Sequence, residues 1–188
     1  MSTDVITKKL FTVDEFQRMQ EAGILEEDRR YELIRGEILE LPRPGPPHAG
    51  RVKRLNRLFT SKLGEAAIVS VQDPVVLERY SAPIPDLALL RPKRDFYAER
   101  HPRPEDILLV VEVADSSLKW DSTVKAELYA ETGISEYWLL DIHGDALIVH
   151  SGLKNGIYES VIARHRGEAI SAQLLPAFLF TIDEILGD

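Results

Sequence analysis

Two carboxylates in this chain stand where acids are costly to place. Glu112 interrupts an apolar run formed by Ile107, Leu108, Leu109, Val110, Val111 and Val113. Carboxylates are almost never fully buried unless they are paired or bound to metal. Asp86 follows Pro83-Ile84-Pro85 and opens a second short apolar run, Leu87 to Leu90. If the two runs are neighbouring strands, both carboxylates project to one edge of a sheet. Two hard oxygen ligands, with water completing the shell, suit Mg²⁺ or Mn²⁺. Each acid also has an ordinary reading, Asp86 as a turn residue and Glu112 as a satisfied core acid.

Lys125 lies thirteen positions after Glu112, on the helix that must fold back over its strand. It shares a helix face with Asp121 and Tyr129 through i±4 spacing. The ordinary reading is a surface Asp121–Lys125 ion pair worth roughly 0.3–0.5 kcal/mol, and this helix alone favours it. The functional reading is a cation beside a metal, positioning water or stabilising a pentavalent phosphate. Glu32, beside Leu33 and Ile34, is either an exposed acid or a third carboxylate near the metal. His48 follows a proline-rich loop with no evident partner. The other histidines lack ligand spacing, and HExxH, GxSxG, P-loop and GxGxxG motifs are absent.

The elements that must hold these residues can be read in order. Thr12 and Glu15 form a capping box for a helix from Thr12 to Gln20. Tyr31 to Leu41 alternates around Arg35-Gly36, which predicts a hairpin. Pro42 to Pro47 reads as loop, and His48 to Leu63 as an amphipathic helix with Val52, Leu55, Phe59 and Leu63 on one side. The basic side of that helix reads as a solvated face, with DNA contact as the alternative. Ala67 to Val71, Val75 to Arg79 and Leu87 to Leu90 look like strands. Arg91 to Pro104 is a polar loop. From Asp106 to Asp141 come a buried strand (Ile107 to Val113), a polar turn, a helix closed by Gly133, and a second buried strand (Ile134 to Asp141). Strands over Ala146 to His150 and Gly156 to Ala163, and a last helical turn over Ile182 to Leu186, complete the chain. One helical crossover between parallel strands among antiparallel ones predicts an α/β or α+β mixed sheet.

Composition sets the bounds. At 188 residues, one domain spanning 1–188 is expected. There is no cysteine, which excludes disulfides, thiolate metal sites and cysteine nucleophiles. No apolar run suits a membrane span or signal peptide, so a cytoplasmic protein is expected. A net charge of −8 argues against a general nucleic-acid coat protein, but not against an enzyme that touches DNA locally.

The strings YELIRGEI, His48 before an amphipathic helix, Pro85-Asp86, VVEVADSS, Asp121-x3-Lys125 and YAETGISEYWLLD together resemble the Uma-two family. That family lies in the PD-(D/E)xK nuclease superfamily, and the likeness runs from about Thr12 to Leu186. It implies a restriction-endonuclease-like mixed β-sheet flanked by helices, with an N-terminal helix and hairpin. It further implies a metal-dependent endonuclease acting on DNA phosphodiesters. Asp86 and Glu112 would hold Mg²⁺ or Mn²⁺ with the carbonyl of Val113. Lys125 would orient or help deprotonate water, and Glu32 would complete the acidic cluster. The chain departs from the pattern at Ala114, where the motif has lysine, and Lys125 would take that place from the next helix. The rival expectation is a catalytically weak or inactive nuclease-fold binding module. A homodimer through the C-terminal strands and Trp138, and a protein partner supplying DNA affinity, are also expected.

Overall fold

The computed structural model describes residues 6–187; the extreme ends of the 1–188 span lie outside them. In chain order the elements are α1 (Val13–Glu21), β1 (Arg30–Ile34), β2 (Glu37–Leu41), α2 (Pro46–Leu63), β3 (Ile68–Val71), β4 (Leu87–Leu90) and β5 (Ile107–Ala114). Next come α3 (Leu118–Trp120), a π-helical turn (Asp121–Lys125) and α4 (Ala126–Glu131). The chain ends with β6 (Tyr137–Asp141), β7 (Ala146–Lys154), β8 (Ile157–Arg164), β9 (Ala169–Ile170), β10 (Phe180–Thr181) and α5 (Ile182–Leu186).

Six strands form one mixed sheet in the order β3-β4-β5-β6-β7-β8. Only β5 and β6 run parallel; their crossover is the α3–π–α4 segment, as parallel neighbours require. Every residue of β4 and β5 is buried, so β4 reads as an unbroken apolar run and β5 as one broken only at Glu112. Alternation sorts their side chains between two layers. Leu87, Leu89, Leu109, Val111 and Val113 pack with Val52, Leu55 and Phe59 of α2 and with α5. Ala88, Leu90, Val110 and Ala114 pack with Ala126, Leu128, Tyr129 and Ala130 of α4. Glu112 falls on that second face by parity and points at the helix carrying Lys125.

Several sequence expectations change. Pro46 and Pro47 belong to α2, at its first turn, where a missing N–H costs nothing. Val75 to Arg79 is not a strand, apart from an isolated Glu78–Ser81 bridge. Val75, Val76 and Leu77 donate instead to the carbonyls of Pro83, Pro102 and Ser81; the two β-branched valines suit extended backbone paired to loops. The strand after Gly133 starts at Tyr137, not Ile134. Trp138 is 0% exposed in the core beside Phe59 and Phe180, so it cannot form a dimer interface. On the basic side of α2, Lys62 bonds Glu184 and the carbonyl of Leu179. That lysine ties α2 to α5 rather than pointing freely to solvent.

Candidate active site

Antiparallel register between β4 and β5 aligns Leu87 with Val111, so the next residues out, Asp86 and Glu112, meet at one end of the strand pair. They are tied reciprocally. The Asp86 N–H donates to Glu112 Oε2 at 3.1 Å, and the Val113 N–H donates to Asp86 Oδ2 at 2.9 Å. An extended residue turns its N–H and C=O to the same edge, which puts the Val113 carbonyl beside Asp86.

The crossover segment delivers the cation. Gly133 stops it in a left-handed conformation (φ 90°) that glycine adopts without strain, and the Ile134 N–H caps the Tyr129 carbonyl. In the π turn, Asp121 and Lys125 are buried at its two ends, whereas Ser122, Thr123 and Val124 are not. Lys125 Nζ donates to Glu112 Oε1 at 2.9 Å and lies 3.4 Å from Glu32 Oε2. The Tyr129 hydroxyl donates to the same Glu112 Oε1 at 2.8 Å. Lys125 is only 5% exposed, which rules out a surface ion pair with Asp121. Asp121 accepts from Ser117 instead.

Glu32 arrives on the hairpin. Arg35 and Gly36 both have positive φ (49° and 80°), as a two-residue hairpin turn demands. The hairpin docks through a Leu33–Ala82 bridge on the segment leading to Asp86, and the Ile84 N–H reaches Glu32 Oε2 at 3.3 Å. Glu32 is 0% exposed, and its Oε1 is buried without a hydrogen-bond partner. The four sequence-predicted residues therefore converge.

Three contributors were missed. His48, at the start of α2, places Nε2 3.0 Å from Asp86 Oδ2, correcting the expectation that it pairs with nothing. Gln72 Nε2 donates to Asp86 Oδ1 at 3.0 Å. Asp121 joins the cluster as a further buried acid. The His48 and Gln72 contacts link residues 38 and 14 positions apart, with no local pattern to announce them. Asp121 was visible as the i−4 neighbour of Lys125 and was read as its surface partner.

The electrostatics follow from crowding acids out of water. Burial pushes the Glu112 carboxyl up to about 8; Lys125 opposes the rise, and Asp86 and Asp121 add to it. Burial likewise raises Asp121. At Asp86 burial also pulls upward, but the His48 hydrogen bond and charge, with Gln72 and the Val113 N–H, outweigh it and lower the pKa. The bond to Asp86 raises His48 against its own desolvation. For Lys125 burial is the largest single influence and pulls down. Glu112, Glu32 and Asp121 together overcome it, so the amine stays an ammonium at neutral pH.

These groups line a cavity of about 390 Å³ that opens between the Leu41–Gly45 segment, Ser116–Ser117 and Trp120. Six carboxylates line it, the buried Glu32, Asp86, Glu112 and Asp121 with Glu40 and Asp115, against Lys125, His48, Arg30 and Arg43. No three His, Asp or Glu side chains among the described residues form a ready-made metal cage. Mg²⁺ is usually held by one or two carboxylates with water and substrate phosphates. Asp86 Oδ1 and Glu112 Oε2 each accept a single protein hydrogen bond, leaving a lone pair on each. The all-oxygen donor set, the surplus of negative charge and the orphaned Glu32 Oε1 fit a hard divalent cation.

The six-stranded mixed sheet flanked by helices, with acids at one end of its β4–β5 pair, is the fold of a nuclease-like protein. A crystal structure of "a putative nuclease belonging to DUF820" from Anabaena variabilis ATCC 29413 superposes with a TM-score of 0.72. It has 14% identity and covers 94% of this chain and 97% of that one. A family model described as "Uma2: Putative restriction endonuclease" matches residues 13–183. The chain belongs to the Uma2 family. No curated protein matches it. No helix among the described residues is long and apolar enough to cross a membrane.

Proposed function

We propose that this protein is a divalent-metal-dependent endonuclease that hydrolyses DNA phosphodiester bonds. The observation that carries the reading is the tie between Asp86 and Glu112 at one strand end, with Lys125 bonded to Glu112 on an open cavity. Asp86 and Glu112 would hold Mg²⁺ or Mn²⁺ together with the Val113 carbonyl. A bound cation supplies Lewis-acid polarisation of the phosphodiester and lowers the pKa of water.

The chain's own groups do the rest. His48, Gln72 and the Val113 N–H fix the Asp86 carboxylate in one orientation. Lys125 acts as a fixed positive charge and donor that orients water and offsets charge developing on phosphate. Its raised pKa makes it a poor base, so the deprotonating role expected from sequence does not suit it. Glu32 shares Lys125 with Glu112 and holds it in place. The acidic cluster excludes substrate phosphate until a cation offsets it.

A second reading, a nuclease-fold binding module, draws on one observation. Every oxygen of Asp86 and Glu112 already accepts a protein hydrogen bond. Plasmid nicking and linearisation in Mg²⁺ or Mn²⁺, abolished by EDTA, separates the two. No cleavage of double-stranded, single-stranded or RNA substrates would move the assignment to the binding module.

A further inference from the structure

We infer that the cavity over the acidic cluster takes an unpaired nucleotide, so that the substrate is single-stranded DNA or a locally unpaired strand rather than an intact duplex. The inference rests on the endonuclease reading for the chemistry, but its evidence is the shape and lining of the cavity. The cluster lines a half-open cavity of about 390 Å³, within the range of about 300–1,000 Å³ typical of small-ligand pockets. A phosphodiester must enter that space to reach Asp86 and Glu112.

Much of the lining is apolar, from Leu39, Leu41, Pro42, Pro44 and Ile84, interleaved with the charged Glu40 and Arg43. Such a lining matches poorly with a duplex, which turns its phosphates outward and its bases inward. It matches a base turned out of the stack, whose face is apolar. Trp120 lies at the lining on α3 and is 38% exposed. An indole left half in water beside a nucleotide-sized cavity has the character of a stacking platform, which is sequence-tolerant because every base has a π-face. Arg30 lines the same cavity, with no ion-pair partner among the described residues. It is placed to meet a flanking phosphate.

The chain contains two tryptophans, and Trp138 is sealed in the core at 0% exposure. Quenching of intrinsic fluorescence by a bound strand therefore reports Trp120. The test titrates the intact protein, with Ca²⁺ replacing Mg²⁺, against a short oligothymidylate and against a blunt duplex of equal length. It follows fluorescence and anisotropy for wild type, Trp120→Ala and Trp120→Phe. Cleavage of both substrates in Mg²⁺ is measured in parallel.

The single strand is expected to bind more tightly than the duplex and to quench the tryptophan signal. Trp120→Ala should weaken strand binding by about tenfold or more, the scale of one lost base–aromatic stack. Trp120→Phe should recover most of that affinity. Equal binding and cleavage of both substrates, unchanged in Trp120→Ala, would overturn the inference while leaving the endonuclease reading intact. Tryptophan-dependent strand binding without any cleavage would uphold the inference and remove the endonuclease reading. No binding to either substrate would overturn the inference whatever the cleavage result.

Discussion

Lys125 Nζ stands 2.9 Å from Glu112 Oε1, an ion pair closed across 13 residues between a buried strand and the helix folded over it. The nuclease motif that this family resembles carries its lysine two positions after the acid, where this chain has Ala114. The π turn returns an ammonium to the carboxylate from another element.

Lys125→Met should expose how far the fold depends on that pair. Removing one partner of a buried pair costs about 3–5 kcal/mol, because the other is left uncompensated. Here the cost falls mainly on Glu32, 3.4 Å from the ammonium, because the Glu112 carboxyl holds its proton up to about 8. Urea denaturation of the two proteins measures it. A loss under about 1 kcal/mol would place the lysine outside the stabilising network.

Tyr129→Phe removes only a hydroxyl, the donor at 2.8 Å to Glu112 Oε1. A typical hydrogen bond contributes about 0.5–1.5 kcal/mol, and a loss of that order is expected at neutral pH, where the Glu112 carboxyl largely keeps its proton. Divalent-cation binding should weaken only slightly, since Glu112 keeps Lys125 and the Asp86 N–H.

The pH dependence follows from the sign of the Glu112 shift. Its carboxyl is held at about 8, against an ordinary 4.5, so the folded state binds the proton more tightly than the unfolded chain. Its contribution to stability is fully present below 4.5 and is lost as pH rises towards 8. Cation binding must displace that same proton. The rise in melting temperature produced by Mn²⁺ should therefore grow from pH 6 to pH 8 and then level off. In Glu112→Gln the rise should be small and flat with pH; a wild-type profile that falls across this window would contradict the assignment.

Gly36→Ala tests the hairpin that delivers Glu32. Gly36 has φ 80°, and a Cβ built there would lie 2.6 Å from the Cβ of Leu10. Strain and overlap together should cost at least about 1 kcal/mol, read from thermal or urea unfolding. An unchanged midpoint would mean that the turn and Leu10 can shift freely.

Much of this site was legible because its signals are local. An acid inside an apolar run must find a partner, and Arg35-Gly36 and the Thr12–Glu15 capping box determine their own conformations; both bonds of that box are present. Parity along β5 was enough to send Glu112 towards the crossover helix. What the sequence hid depends on distant contacts or on ambiguous runs. His48 finds Asp86 only because α2 packs across the sheet. The π turn has no composition signature, and Val75 to Arg79 has a strand's residues without a strand's partner. Trp138 is at home in an interface or in a core, and only packing assigned it to the core.

The central claim is that Asp86 and Glu112 form a working metal-dependent site. The most direct measurement is cleavage of supercoiled plasmid by wild type, Asp86→Asn and Glu112→Gln in Mg²⁺ or Mn²⁺, each variant first shown to be folded by its unfolding transition. Wild type should cut the plasmid where its supercoiled duplex is locally unpaired, giving nicked and then linear forms, with cleavage stopped by EDTA and absent from both variants. Cleavage by either folded variant at the wild-type rate, or cleavage that survives EDTA, would contradict it.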